Sequence, residues 1–231
     1  MSITIIIPTI NESEQIGGLI NRLHALAPKT LLKEIIVVDG GSKDETVEIA
    51  KKLGANVIKS KIKGRAVQMN EGARVAKGEV LYFIHADTTP PTTLLLDINT
   101  AVQNGFGAGC YRLTFDMPHW FLKYNSWFTQ FDIDGVRYGD QSLFVKRSVF
   151  NKVGGFRKDY LLFEDNEIIK RLKGKSTFKI IKKPVITSAR KYRKHGVFKL
   201  QFVYYFIYLL YSLGFSQKKL VGVYLYFLKE H

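Results

Sequence analysis

Asp87 closes the run VLYFIHADT, residues 80–88, an apolar strand-like segment that turns at Pro90-Pro91. A carboxylate that ends a strand, after two earlier strand–helix pairs, belongs at the carboxyl edge of an open α/β sheet, where such proteins bind ligands. That placement predicts a metal and a diphosphate beside Asp87. Thr9, Asn11 and Glu12 end the first apolar run, and Asp39 ends the second, followed by Gly40-Gly41. An aspartate beside glycines can accept hydrogen bonds from a base N–H or a ribose hydroxyl. The competing reading of Asp39 is a cap on its own turn. Arg65 follows Lys61, Lys63 and Gly64, either to reach a base or phosphate or as part of a solvated basic loop. Glu164-Asp165 opens a helical pattern, where acids complement the helix dipole whether or not they do chemistry.

Alternating elements must hold these residues. Ile3–Thr9 and Glu34–Asp39 read as β-strands, with helical spacing of Leu19, Leu23 and Leu26 between them. Ser42 and Glu45 read as a capping box opening a helix over Thr46–Leu53, with a short strand near Asn56–Lys59 and a further helix about Ala66–Ala76. The first ninety residues thus predict a mostly parallel sheet flanked by helices. Beyond them the spacing predicts helices over Thr92–Asn104 and Asp165–Leu172, an aromatic helix or loop over Trp120–Phe131, strands over Ala108–Phe115 and Val185–Ser188, a turn at Gly154-Gly155-Phe156 and a polar, turn-rich stretch over Asp132–Gly139.

A chain of 231 residues suffices for one domain with a sizeable core. We read one domain in three stretches, 1–90, 91–195 and carboxyl-terminal aromatic helices over 196–231. A single cysteine, Cys110, and an opening without a basic leader predict a cytoplasmic protein. The net charge of +15 is one-sided: residues 1–145 hold 15 Lys/Arg and 15 Asp/Glu, and residues 146–231 hold 20 and 5. Such a bias predicts an anionic partner, with solubilising charge as the bland alternative.

Two nucleotide-binding classes fall away. No G-x-G-x-x-G follows the first strand, where Thr9-Ile10-Asn11-Glu12-Ser13 stands instead, and no P-loop pattern occurs. Residues 200–215 carry no charge, and seven of the sixteen are Phe or Tyr. As a helix of about 24 Å they fall short of a ~30 Å hydrocarbon core. Tyr204, Tyr208, Tyr211 and Phe215 form one stripe with basic flanks, which suits a helix lying on the inner face of the cell membrane; packing on the core or on a second copy in a homodimer is the alternative.

The motifs IIIPTINE, EIIVVDGGSKDET, GRAVQMNEGARVAKGEVLYFIHADT, GGF and FEDNEIIKRL, in that order, resemble the family 2 glycosyltransferases with the GT-A fold. HADT, YGDQSLF, GGF with its following ED, and TSARKY are similar to the radical-SAM/selenodomain-associated transferase 2 subfamily. The resemblance spans about residues 3–220 and makes 1–90 the nucleotide-binding half and 91–195 the acceptor-side half. It implies a nucleotide-sugar donor held by Thr9, Asn11, Glu12, Asp39 and Arg65, and a divalent cation, Mn²⁺ or Mg²⁺, on Asp87. His85 replaces the first acid of the family's Asp-x-Asp, as a metal or ribose contact or as a packed strand-end histidine. The resemblance makes Asp165 the general base on an acceptor hydroxyl, with Glu164 beside it. Asp140 and Gln141, of Gly139-Asp140-Gln141, are expected on the acceptor side. Arg190, Arg193 and His195, in the basic run after the strand Val185–Ser188, either close over the diphosphate or belong to a solvated basic loop. The implied activity is inverting, metal-dependent transfer of a hexosyl or related group to a sugar or lipid-linked acceptor at a membrane. Against it stand a non-catalytic binder of nucleic acid or an anionic surface, and a nucleotidyltransferase, for which Asn11-Glu12 is the wrong chemistry.

Overall fold

The computed structural model describes residues 1–132 and 141–228. Its frame is an eight-stranded sheet in the order β3-β2-β1-β4-β7-β6-β8-β5. The strands are β1 (Ile3–Thr9), β2 (Leu32–Asp39), β3 (Asn56–Lys59), β4 (Val80–Phe83), β5 (Thr88–Thr89), β6 (Ala108–Phe115), β7 (Leu143–Lys146) and β8 (Phe178–Thr187). Strand β1 is buried along all seven residues, as its Ile-rich run demands of a central parallel strand covered on both faces.

Alternation along β1 feeds two cores. Ile5 and Ile7 pack with α1 (Ser13–His24) and α4 (Leu94–Gln103), whereas Ile6 packs with α3 (Arg65–Val75) and α7 (Glu164–Lys173). Helix α3 sits so close that a Cβ on Gly72 would stand 2.5 Å from Ile6 Cγ2, so this contact requires glycine. A third cluster joins α5 (Trp120–Phe128), α8 (Arg190–His195), α9 (Val197–Ser212) and α10 (Gln217–Leu228) through Leu122, Tyr192, Leu200, Val203, Ile207 and Leu220. Two short helices, α2 (Thr46–Lys52) and α6 (Arg147–Lys152), complete the described α-helices, and one 3-10 turn over Lys29–Leu31 leads into β2.

The sheet is more mixed than the expected mostly parallel one. Pairings β1–β2, β2–β3, β1–β4 and β6–β8 are parallel, but β7 runs antiparallel between β4 and β6, and β5 is antiparallel to β8. Successive strands move outward from β1 through β2 to β3, then return to β1's other side at β4. The reversal opens a crevice at the carboxyl ends of β1 and β4, the place where α/β sheets take ligands.

Two local expectations fail. The Ser42–Glu45 capping box does not form, because Ser42 Oγ instead donates to the Asp39 carboxylate; Asp44 satisfies the start of α2, accepting from Thr46 N at 3.1 Å and Thr46 Oγ1 at 2.5 Å. The basic segment after β8 is not a loop but the short helix α8. The expected polar stretch over Asp132–Gly139 lies, except for Asp132, outside the described residues.

Candidate functional site

Two carboxylates meet at the crevice. Glu12 follows β1 and Asp87 follows β4, and both face the guanidinium of Arg190 from α8. Arg190 Nη1 and Nη2 donate to Glu12 Oε2 and Oε1 at 2.8 and 2.5 Å, a bidentate fork, and Nη2 stands 3.3 Å from Asp87 Oδ2. The Glu12 and Asp87 side chains are 14% and 17% exposed, so two acids converge in a half-dry place that already holds one cation.

The loops that deliver them are knit together. Asn11 takes a left-handed φ of 53° so that its Oδ1 accepts from Lys43 N at 2.8 Å and its own N–H donates to Ser42 Oγ at 2.9 Å. Glu12 N donates to Thr46 Oγ1 and Ser13 N to Asp44 Oδ2. The hydrogen bonds from Thr46, above all, hold the Asp44 carboxyl down at about 2. Thr88 N donates to His85 O, a turn that carries Asp87 off the end of β4 and leaves His85 half-buried.

Asp39 and Thr9 are set deeper than expected. Asp39 is buried and accepts from Gly41 N, Ser42 N and Ser42 Oγ, so it braces its own turn. Thr9 is buried, with Oγ1 3.5 Å from Val38 O. Gln68, which sequence reasoning missed, donates from Nε2 to both Thr9 O and Val38 O and ties the two strand ends to α3. A polar residue among Ala66, Met69 and Ala73 on the buried face of a helix was the available signal.

Three residues earlier on α3, Arg65 Nε stands 2.8 Å from Glu164 Oε1. This is an ion pair rather than an aligned hydrogen bond, and neither Glu164 oxygen makes such a bond with the described residues. Glu164 is 1% exposed, and Asp165 beside it is also buried. The turn that aims them is strained: Phe163 sits at φ 63°, ψ 22°, costly for a bulky side chain. Its ring is held by Tyr211 at 4.9 Å and Tyr208 at 5.7 Å, both from α9. Burial pushes the Tyr211 phenol up to about 12, so it stays neutral there. Arg171 clamps α7 from the other side, forking onto Glu167 and donating to Val153 O and Gly155 O. Asn70, also missed, fixes the same Gly-Gly-Phe turn by bonding Phe156 N and O. Gly155, at φ 71°, would place a Cβ 2.6 Å from Asn70 Oδ1.

The acceptor-side expectations fare unevenly. Asp140 lies outside the described residues. Gln141 does not line an open cleft; it is buried, and its Nε2 donates to Tyr111 O and Thr129 O. Arg193 turns away from Arg190 to Asp116, with Nη2 3.0 Å from Oδ1. Asp116 also accepts from Ala189 N at 2.7 Å, and Ser188 N donates to Asp87 O at 3.1 Å, so a continuous string of contacts joins Asp87 to the start of α5. His195 ends α8, half-buried.

A metal fits here in a limited way. Among the described residues no group of three His, Cys, Asp or Glu side chains can hold an ion by itself. A hard divalent cation that keeps waters and takes phosphate oxygens needs only one or two carboxylates from the protein, and Asp87 with Glu12 offers them.

Comparisons with known proteins agree with this architecture. The family model for glycosyl transferase family 2 matches residues 4–161, and the chain belongs to that family. A dolichol-phosphate mannosyltransferase of Pyrococcus furiosus is 33% identical over 110 residues, 46% of this chain and 31% of that one. The chain therefore spans about a third of the length of that relative. The mannosyltransferase PcManGT of Pyrobaculum calidifontis, solved with GDP-Man and Mn²⁺, superposes with TM-score 0.69 at 17% identity over 97% of this chain and 69% of that one. Glucosyl-3-phosphoglycerate synthase of Mycobacterium tuberculosis, solved with Mn²⁺ and UDP, gives TM-score 0.62 at 16% identity over 90% and 78%. The fold is that of GT-A glycosyltransferases.

Proposed function

We propose that this chain transfers a glycosyl group, with inversion, from a nucleoside-diphosphate sugar to an acceptor hydroxyl, using a divalent cation, Mn²⁺ or Mg²⁺. The observation that carries the reading is the convergence of Glu12 and Asp87 on one guanidinium at the sheet's reversal point. Family membership supports it, and structural neighbours solved with GDP-Man, UDP and Mn²⁺ suggest the donor class and the ion. The narrower subfamily resemblance rests on the motifs alone.

Each residue then has a task. The β1 and β2 end loops, with Thr9, Asn11 and Asp39 setting their shape, form the wall against which the nucleoside lies, and Arg65 reaches it from the start of α3. Asp87, with Glu12 and His85 beside it, would hold the cation, whose positive charge would offset the negative charge left on the departing diphosphate. Arg190 is placed to hand its guanidinium to the same phosphate oxygens. Asp165 takes the proton from the acceptor O–H as that oxygen attacks the anomeric carbon, and Glu164, tied to Arg65, fixes the turn that presents it. The 231 residues act as one catalytic unit, peripheral at a membrane that presents the acceptor from the cytoplasmic side.

Calorimetric titration with UDP, GDP, CDP and dTDP, each with Mn²⁺ and with EDTA, tests the donor reading. One diphosphate should bind with Mn²⁺ and lose most of its affinity in EDTA. Equal, weak binding of all four in both conditions would overturn it.

A further inference from the structure

The sequence pointed to Tyr204, Tyr208, Tyr211 and Phe215 as a lipid-facing stripe, but three of these turn inward. Tyr204 faces Tyr192 and Tyr224, and Tyr208 and Tyr211 face Phe163. The exposed stripe of α9 is the opposite one: Phe198, Phe202, Tyr205 and Leu209, at i, i+4, i+7 and i+11. Helix α5 has a matching stripe, Trp120, Tyr124 and Trp127, at i, i+4 and i+7. Trp120 and Phe202 are the extreme cases, 67% and 61% exposed.

The two stripes lie side by side. Phe198 packs on Phe121 at 5.1 Å and on Trp120 at 6.3 Å, and Tyr205 OH donates to Asn125 Oδ1 at 2.7 Å. Apolar side chains of this size, contiguous over two helices, are the mark of a surface that meets a partner. Charge says which partner. Residues 117–131, which include α5, contain no Asp or Glu, and residues 168–228 contain fourteen Lys or Arg and no Asp or Glu. Lys123 and Lys199 are exposed within the same two helices. A second copy would set two such basic faces against each other, which like-charge repulsion opposes. Among the described residues no helix is long and apolar enough to cross a membrane. Trp, Tyr and Phe flanked by Lys suit the headgroup layer of a bilayer.

We infer that the paired α5–α9 face docks in the interface of an anionic lipid bilayer, with Trp120, Trp127, Phe198 and Phe202 inserted and Lys123 and Lys199 at the headgroups. The inference deepens the glycosyltransferase reading and rests on it for its purpose. A cleft of about 280 Å³ at the root of α5, lined by Phe115, Asp116, Met117, Pro118, Leu122 and Lys123, lies next to Arg193 on the contact string that leads to Asp87. The docked face therefore sets the bilayer beside the string of contacts that ends at Asp87.

The test is co-sedimentation of the full chain with vesicles of phosphatidylcholine alone and with about a third phosphatidylglycerol. The expected result is binding to the anionic vesicles only, weakened at least about tenfold by Trp120→Ser/Phe202→Ser, since both rings are exposed and their removal leaves the core intact. The same double variant should bind a nucleoside diphosphate with Mn²⁺ as the wild type does, which separates this inference from the donor reading. The inference is overturned by equal binding to both vesicles, by no binding to either, or by a double variant that sediments like wild type. It is also overturned if the wild type is a dimer in solution that the double variant dissociates, which would make a second copy the occupant.

Discussion

Two arginine–carboxylate contacts frame the candidate site, and they differ in what surrounds them. At the floor, Arg65 faces Glu164, which is buried with no aligned hydrogen bond from the described residues. At the mouth, Arg190 forks onto Glu12 and approaches Asp87, both of which keep some contact with solvent. A fully buried carboxylate left without its cation costs several kcal/mol, whereas one that keeps some contact with solvent is more easily hydrated and can exchange one cation for another. The floor contact is therefore structural, and the mouth contact is exchangeable. In the proposed function, a donor diphosphate with its divalent ion would compete with Arg190 for these two acids.

The largest expected effects fall on the chemistry that this difference protects. Asp165→Asn should lower turnover by about 10²–10⁴-fold, the range for a lost general base, while donor affinity stays at the wild-type value. Steady-state kinetics beside calorimetry checks it, and a parallel loss of binding would mean that Asp165 holds the donor. Next come the two arginines, compared by thermal and urea unfolding. Arg65→Ala should destabilise the protein by about 3 kcal/mol through the orphaned Glu164, and Arg65→Ala/Glu164→Gln should recover much of the loss. Arg190→Ala should cost less than about 1 kcal/mol. Equal losses for the two arginines would erase the distinction between floor and mouth.

The smallest effect is a pH dependence. Asp44 braces the loops that carry Glu12, and its carboxyl is held at about 2, below the ordinary 3.8, chiefly by the hydrogen bond from Thr46. A depressed carboxyl stabilises the fold above its unfolded value and loses that contribution as pH falls through the folded one. The melting-temperature gap between wild type and Asp44→Asn should be constant above about pH 4 and close as pH falls to about 2. A gap that persists at pH 2 would show that Asp44 acts through shape alone.

What could be read in advance follows physical range. Strand β1 announced itself because a seven-residue buried run is a local signal, and β3 over Asn56–Lys59 was legible from its β-branched pair Val57-Ile58, although its ends are exposed. The antiparallel insertion of β7 between β4 and β6 was not, since strand order depends on contacts between distant residues. Glu12 and Asp87 were singled out separately, yet nothing local says that Arg190, 178 residues beyond Glu12, lies between them. Helix α9 is the sharpest case. It is apolar nearly all round, so the period of its tyrosines could not tell the face that packs on Phe163 from the face that carries Phe202. Only the position of α7 and α10 decides it.

The most direct measurement is Mn²⁺ binding followed by electron paramagnetic resonance, in the presence and absence of the preferred nucleoside diphosphate, for wild type and Asp87→Ala. Wild type should immobilise Mn²⁺ only when the nucleotide is present, and Asp87→Ala should leave the ion free in both cases. If Asp87→Ala holds Mn²⁺ with nucleotide as tightly as wild type does, the mouth formed by Glu12, Asp87 and Arg190 is not the diphosphate site.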